Sequence, residues 1–354
     1  MESSFGRNCR VTVFGGSHED RIGVAIQGFP KDFKADLTAL QAFMNRRAPG
    51  NSPFATSRKE PDLVHIQSLD PLTLFIENTD KKSDDYKKMR QVPRPGHADF
   101  TASIKYGNQL NMAGGGPFSG RMTAPLCIAG GLAMQLLSKY DIKIGAHIGS
   151  IANIADAPFN EVEVSGNVLD ELARSDFPVL SSADGEKMKS LILEAKAQGD
   201  SVGGVVQACA INLPAGLGGP LYDGVESVLS PILFAIPGVK GVSFGSGFGS
   251  TTLLGSQNND PFVIVDNQVR TSTNHHGGIL GGITTGMPLL VQVAFKPTPS
   301  IAKEQLSVNL KTMKPETLAI TGRHDPCIVV RAVPVVEAAL AIGLLDLLLE
   351  RTTQ

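Results

Sequence analysis

Four short segments set glycine or proline beside residues that move protons or hold anions. They are Gly15-Gly16-Ser17-His18, Arg94-Pro95-Gly96-His97-Ala98-Asp99, Gly114-Gly115-Gly116-Pro117-Phe118-Ser119-Gly120-Arg121 and Gly322-Arg323-His324-Asp325-Pro326. Gly and Pro fix tight turns whose main-chain N–H groups can approach a ligand. Arg offers a planar fork for phosphate or carboxylate, and His exchanges a proton near neutral pH. One such segment alone reads equally as a structural turn. Four of them, in a chain with 7 histidines, point to acid–base chemistry on an anionic small molecule.

Three polar segments, at 46–58, 78–99 and 111–121, read as long loops, and two of the four segments lie in them. Long loops in a compact chain are usually either functional or disordered. Between Arg46 and Arg121 there are 12 Lys/Arg against 8 Asp/Glu, in a chain whose totals are 32 and 34. That local basicity suits an anionic substrate, and it suits an ordinary solvated surface as well.

Two other constellations are weaker. Gly199-Asp200-Ser201-Val202-Gly203 matches the G-x-S-x-G pattern of serine hydrolases, with Ser201 as nucleophile. It follows a helical pattern and precedes a strand, whereas a nucleophile elbow needs strand, turn, helix. His275-His276 could be joined to His18 or His324 as a metal site, but no H-E-x-x-H spacing supports it, so no metal is expected. There is no Walker A, and Gly245–Ser250 has the wrong spacing for a dinucleotide fingerprint.

The elements that must position these loops follow from periodicity. Short β-branched runs predict strands at 10–14, 24–28, 63–68, 72–77, 205–212, 241–245, 262–266, 289–295 and 327–332. A 3.6-residue period predicts helices at 37–46, capped by Asp36, at 185–198, capped by Ser182 or Asp184, at 123–140 and at 337–351. With 354 residues, 42% of them hydrophobic, and net charge −2, the chain can bury a large core, and gives no general reason to bind nucleic acid or a membrane surface. The apolar stretch 333–349 contains Glu337 and Asp346 and reads as a core helix. Four well-separated cysteines and an N-terminus without an apolar leader fit a reducing, cytoplasmic setting.

A strand, a proline, an acidic residue, a helix and Pro-Gly recur in the same order from Gly23 and from Gly204. The repeat is either chance or an internal duplication; if it is a duplication, the chain is one pseudo-symmetric domain over 1–354. Hairpin-like strand pairs between helices favour an α+β fold with antiparallel sheets.

The ordered motifs resemble the chorismate synthase family nearly end to end. They are F-G-x-S-H (14–18), R-R-x-P-G (46–50), T-x-R-K-E-P-D (56–62), R-P-G-H-A-D-F (94–100), K-Y-G (105–107), G-G-G-x-x-S-x-R-x-T (114–123), G-D-S-V-G-G-V-V (199–206), V-K-G-V (239–242), G-G-I-L-G-G-I (277–283), K-P-T-P-S-I (296–301) and G-R-H-D-P-C (322–327). The resemblance implies a β-α-β sandwich with antiparallel sheets and an internal pseudo-twofold duplication, assembled as a homotetramer. It implies a carbon–oxygen lyase that removes phosphate from 5-enolpyruvylshikimate 3-phosphate by 1,4-anti elimination to give chorismate. Reduced FMN is the implied cofactor, with NADPH as a candidate reductant and an external flavin reductase as a candidate partner. A flavin- or phosphate-binding homologue that has lost catalysis is the alternative.

By the same resemblance, His18 matches the group that protonates departing phosphate, His97 the histidine beside the flavin, and Asp325 an aspartate assisting proton removal. Ser17 and Ser119 match supporting serines. Arg47, Arg94, Arg121 and Arg323 match substrate- and flavin-facing arginines. Ser119, Gly238, Gly281, Lys296, Pro297, Thr298, Pro299, Ser300 and Arg323 match flavin-contacting positions. Many members carry Glu at 16, Gly at 19, Arg at 53 and 117, and Asn at 237; this chain has Gly16, Glu19, Pro53, Pro117 and Pro237.

Overall fold

The computed structural model describes residues 3–48, 54, 60–79, 91–107, 109–320 and 325–353. The first sheet is built from β1 (Ser3–Phe5), β2 (Arg10–Gly15), β3 (Arg21–Gln27), β4 (His65–Leu69) and β5 (Leu72–Glu77), in the order β1-β2-β3-β5-β4. The second contains β6 (Lys143–Ile151), β7 (Ile154–Ala155), β8 (Gly204–Ile211), β9 (Val239–Phe244) and, after two hairpins, β14 (Leu289–Phe295), in the order β7-β6-β8-β14-β9. Every pairing in both sheets is antiparallel.

Alternation turns one face of each sheet inward. Ile22 and Val24 of β3 stand opposite Ile76 and Leu74 of β5, all fully buried. In the second sheet Ala208 lies between Ala146 and Val291, again fully buried. Between the two inner faces run α1 (Leu37–Arg47), α3 (Thr123–Leu137), α6 (Val225–Phe234) and α7 (Val329–Thr353), so the layers are sheet, helices, sheet. The other helices of eight or more residues among the described ones are α2 (Asp99–Tyr106), α4 (Gly166–Arg174) and α5 (Ser182–Ala197). Leu169 and Leu172 of α4 cover the outer face of the second sheet at Cys209 and Leu290. The hairpins are β10–β11 (Phe262–Val265, Gln268–Thr271), β12–β13 (Ile279–Leu280, Ile283–Thr284) and β15–β16 (Gln305–Asn309, Lys314–Leu318).

The helix layer is tight because α3 turns a glycine toward α7. A Cβ on Gly130 would overlap the backbone of Ala338. Helix α7 is long and apolar enough to cross a membrane, yet it lies inside the core, and its two buried acids, Glu337 and Asp346, are fully used. Glu337 receives both arms of Arg46, at 2.6 and 2.9 Å, and the N–H of Ala146 at 3.0 Å. Asp346 accepts the N–H groups of Arg7, Asn8 and Cys9 at 3.0, 2.6 and 2.7 Å. The central helix thus pins the N-terminal loop and α1 beside the second sheet.

Several elements differ from the sequence expectation. The run 327–332 is no strand: Val329 begins α7 and Cys327 precedes it, because an apolar segment wrapped by both sheets satisfies its backbone as a helix despite β-branching. Strand β6 escapes the pattern because Gly145, His147 and Gly149 interrupt its apolar alternation. Ser181, not Ser182 or Asp184, caps α5, accepting from Asp184 N at 3.3 Å. Asp36 caps α1 as expected, at 2.9 Å from Ala39 N. Asp223 does not cap α6, which starts from Gly224; its carboxylate binds Arg7 instead.

Candidate functional site

The site forms where the loops bearing His18 and His97 meet the Gly114-Gly115-Gly116 turn. All three glycines have positive φ (62°, 90° and 53°), a conformation that side chains with Cβ rarely adopt. The turn is also too crowded for a Cβ. A methyl on Gly114 would run into the His18 ring and stand 3.0 Å from Ser17 Oγ. One on Gly115 would lie 3.3 Å from His97 Nε2 and 3.4 Å from Ser119 Cβ. His18, His97, Ser17 and Ser119 therefore gather around one bare stretch of backbone.

Each side chain is held from behind. The Ser17-His18 turn joins β2 to β3; Ser17 N donates to Gly116 O at 3.3 Å. Asn78, which the sequence reading missed, donates to Gly16 O and Glu19 O at 3.2 and 2.8 Å and accepts from Arg121 Nε at 3.0 Å. It is a buried amide just beyond β5, and nothing in its local sequence marks it. Glu19 folds back over Gly16: a Cβ there would lie 3.0 Å from Glu19 Oε1.

Arg47 and Arg121 enter a buried cluster centred on Asp62. Arg47 donates through Nε and Nη2 to Asp62 at 3.0 and 2.5 Å, and through Nη1 to Thr123 at 3.1 Å. Arg121 also donates to Asp62, lies 3.4 Å from Glu60 and reaches Glu77 O at 3.4 Å. Burial alone would raise the Asp62 pKa, but the two guanidinium groups outweigh it and hold the carboxyl below its ordinary value. Burial, with Arg47 nearby, pulls Arg121 below its ordinary value. These guanidinium groups are engaged by protein acceptors.

Arg94 and His97 form a second cluster on the other side of the turn. Asp99 receives Arg94 Nε and Nη2 at 2.7 and 2.8 Å and lies 2.8 Å from His97 Nδ1. Its pKa is held well below the carboxylate range because the Arg94 and His97 bonds outweigh burial. The 296–300 strip packs alongside: Arg94 Nη1 donates to Ser300 Oγ at 3.2 Å, and Lys296 Nζ donates to Gly96 O. Pro299 Cβ lies 3.4 Å from the position a Gly96 Cβ would take. Burial, and to a smaller extent the neighbouring Lys240, lower the Lys296 pKa. Ser17 Oγ and Thr298 Oγ1 are buried without a hydrogen-bond partner among the described residues.

The remaining residues are more scattered. Gly238 supports the strip from below through Lys296 N, which donates to its carbonyl at 3.0 Å, and Pro297 lies within the strip. Asp325 accepts from Arg331 Nη1 at 2.8 Å, and Arg331 Nε donates to Arg47 O at 3.0 Å, so this second missed residue ties Asp325 to the Asp62 cluster. Arg331 lies within the apolar run that opens α7, which hid it. Gly281 sits in the turn of hairpin β12–β13, whose hydrogen-bonded neighbours are Leu217 and Val225. Arg323, His324 and Pro53 lie outside the described residues. Ser201 is a structural donor: its hydroxyl reaches Thr298 O at 2.7 Å, which pins the strip and leaves no hydrolase geometry. Burial pushes the thiols of Cys9, Cys127 and Cys327 up to about 12, so they are inert. Among the described residues no group of three His, Cys, Asp or Glu is placed to hold a metal.

The depressed carboxyls predict acid sensitivity. Asp62, Asp99 and Asp156, the last bonded to buried His147 at 2.9 Å and to the N–H groups of Leu180 and Ser181, have folded pKa values below their unfolded ones. The stability they contribute is complete above about pH 4 and is lost as pH falls through the folded values. Unfolding free energy, followed by circular dichroism in urea, is expected to be flat from about pH 5 to 7 and to drop below about 4. Constant stability down to about pH 2 would contradict the pairing.

The chorismate synthase family model matches residues 9–349. The chain belongs to the chorismate synthase family. It is 44% identical to the chorismate synthase of Lancefieldella parvula, covering 98% of this chain and 96% of that one. The enzyme from Dehalococcoides mccartyi is 43% identical, with 99% and 97% covered. That of Thermococcus kodakarensis is 44% identical, with 98% and 97% covered. A chorismate synthase crystal structure superposes with a TM-score of 0.76 at 26% identity, covering 98% of this chain and 93% of that one. The family's mixed helices and antiparallel sheets are those described above.

Proposed function

We propose that the protein is a chorismate synthase, a lyase that eliminates phosphate from 5-enolpyruvylshikimate 3-phosphate to give chorismate. The observation that carries this is the meeting of His18, His97, Ser17 and Ser119 on the bare Gly114–Gly116 backbone, in a chain that matches the family from 9 to 349. The substrate bears a phosphate and two carboxylates. Lys296, with Lys240 behind it, supplies the positive corner such an anion needs. Arg94 belongs to the same corner, oriented by Asp99 and Ser300.

Reduced FMN fits the same place. Ser17 Oγ and Thr298 Oγ1 want a polar partner, and Lys296 and the 296–300 backbone would hold an anionic, planar group against Gly96. When bound, the flavin supplies transient electron density to an elimination that has no net redox change. The protein does the rest. His18 is placed to protonate leaving phosphate, His97 to exchange a proton at Nε2, and Asp325, steadied by Arg331, to assist proton removal. Arg47 and Arg121 act through Asp62, which fixes the frame on which His18 and Ser119 stand.

The recurring strand–helix pattern supports an internal pseudo-twofold duplication, since β3 and β8 are the third of five strands in their sheets and lead to α1 and α6. One domain spanning the chain accords with this. A homotetramer in the cytoplasm is the accompanying proposal. Exposed Phe248, Leu254, Phe262, Ile264, Leu306 and Met313 give hairpins β10–β11 and β15–β16 and the segment before them apolar surface for copies to bury. NADPH as reductant and an external flavin reductase remain part of the same proposal.

Two measurements test the reading. Under anaerobic conditions, reduced FMN should support many turnovers per reducing equivalent, and oxidised FMN none. Equal activity with oxidised FMN under strict exclusion of reductant would refute the cofactor. His97→Ala should lower turnover by roughly 10²-fold or more while FMN affinity changes far less; full activity would remove His97 from proton handling.

A further inference from the structure

The geometry points to Asp99 as the residue that fixes the tautomer of His97 and so decides which ring nitrogen faces the reacting groups. This rests on the reading of His97 as a proton-handling group. Asp99 opens α2, two residues beyond His97, and its side chain is 8% exposed. Its carboxylate collects the turn it closes: Arg94 N, Nε and Nη2 donate to it at 3.1, 2.7 and 2.8 Å.

His97 Nδ1 has two polar neighbours, Asp99 Oδ1 at 2.8 Å and Arg94 Nη2 at 3.1 Å. An ionised carboxylate only accepts and a guanidinium only donates, so Nδ1 cannot serve both. With a proton it donates to Asp99; without one it accepts from Arg94. The carboxylate prevails. It is closer, and the bond to it is charge-assisted on the acceptor side. A bare Nδ1 would instead set two acceptors 2.8 Å apart in a buried turn.

With the proton on Nδ1, Nε2 is left to exchange one. Nε2 is the ring atom turned toward the triglycine backbone, 3.3 Å from where a Gly115 Cβ would stand, with Ser119 alongside. Among the described residues, Lys296 lies near the turn, its Nζ holding Gly96 O, and His18 packs against Gly114 of the same triglycine segment. Asp99 is a positioning residue: it acts through His97 and Arg94.

Nitrogen-15 NMR of the histidine-labelled full chain, at alkaline pH where the ring is neutral, reads the tautomer without requiring turnover. Wild-type His97 is expected to show a protonated Nδ1 and a bare Nε2. In Asp99→Ala, Nδ1 is left to Arg94, and the ring should switch to the Nε2–H form while turnover falls by about 10²-fold. In Asp99→Asn the amide oxygen is drawn to Arg94 N and Nε, which both bond Oδ2, so its NH2 group faces Nδ1. The ring should again switch to the Nε2–H form, with a comparable fall in turnover. A wild-type ring protonated on Nε2, or a tautomer unchanged in Asp99→Ala, would overturn the assignment. Should Asp99→Ala fail to fold, the wild-type spectrum still decides it. If the tautomer is as expected and His97→Ala is fully active, proton handling falls while Asp99's hold on the ring stands.

Discussion

Asp62→Ala is expected to destabilise the protein by about 3–5 kcal/mol, the usual cost of removing one partner of a buried ion pair. Asp62 is the anion shared by Arg47 and Arg121, and all three side chains are almost wholly inside the protein. Without it, two guanidinium groups lose their main acceptor in a place water cannot easily fill. Glu60 lies 3.4 Å from Arg121 and offsets part of the loss, while Arg47 keeps only Thr123. Asp62→Asn retains acceptor capacity and should cost less. Urea unfolding followed by circular dichroism measures both. A loss below about 1 kcal/mol for the alanine variant would mean that the cluster is solvated. Activity should fall with stability, since Arg331 bridges Arg47 O to Asp325.

Gly114→Ala is expected to lower turnover by about 10²-fold or more, because misplacing a reacting group by about 1 Å is enough for that. The added methyl lands on the His18 ring, and φ of 62° costs a side chain roughly 1–2 kcal/mol besides. The ring must therefore swing away. Gly115→Ala meets His97 Nε2 and Ser119 Cβ at 3.3 and 3.4 Å, so a smaller displacement is needed there. Steady-state kinetics with matched circular dichroism spectra separate misplacement from unfolding. Wild-type turnover in Gly114→Ala would show that His18 does not work from the position seen here.

Much of this protein was determined by local sequence. Period-two runs at 72–77 and 289–295 became strands over those same residues, and Asp36 caps the helix it precedes. The loops bearing His18, His97 and Ser119 were legible because Gly and Pro clusters mark tight turns, and tight turns are written in neighbouring residues. What local pattern could not decide was decided by packing. The β-branched run after Cys327 became helix because two sheets enclose it, and Lys143–Ile151 became a strand although Gly145 and His147 break its alternation. The same holds for the site. Asn78, Arg331 and the Asp62 cluster join positions 15–284 residues apart, and no local pattern announces a partner at that distance. The sequence by itself determined which groups could do the chemistry. Only the tertiary structure decided how each is held, because burial removes water as a partner and obliges every charge to find one in the fold.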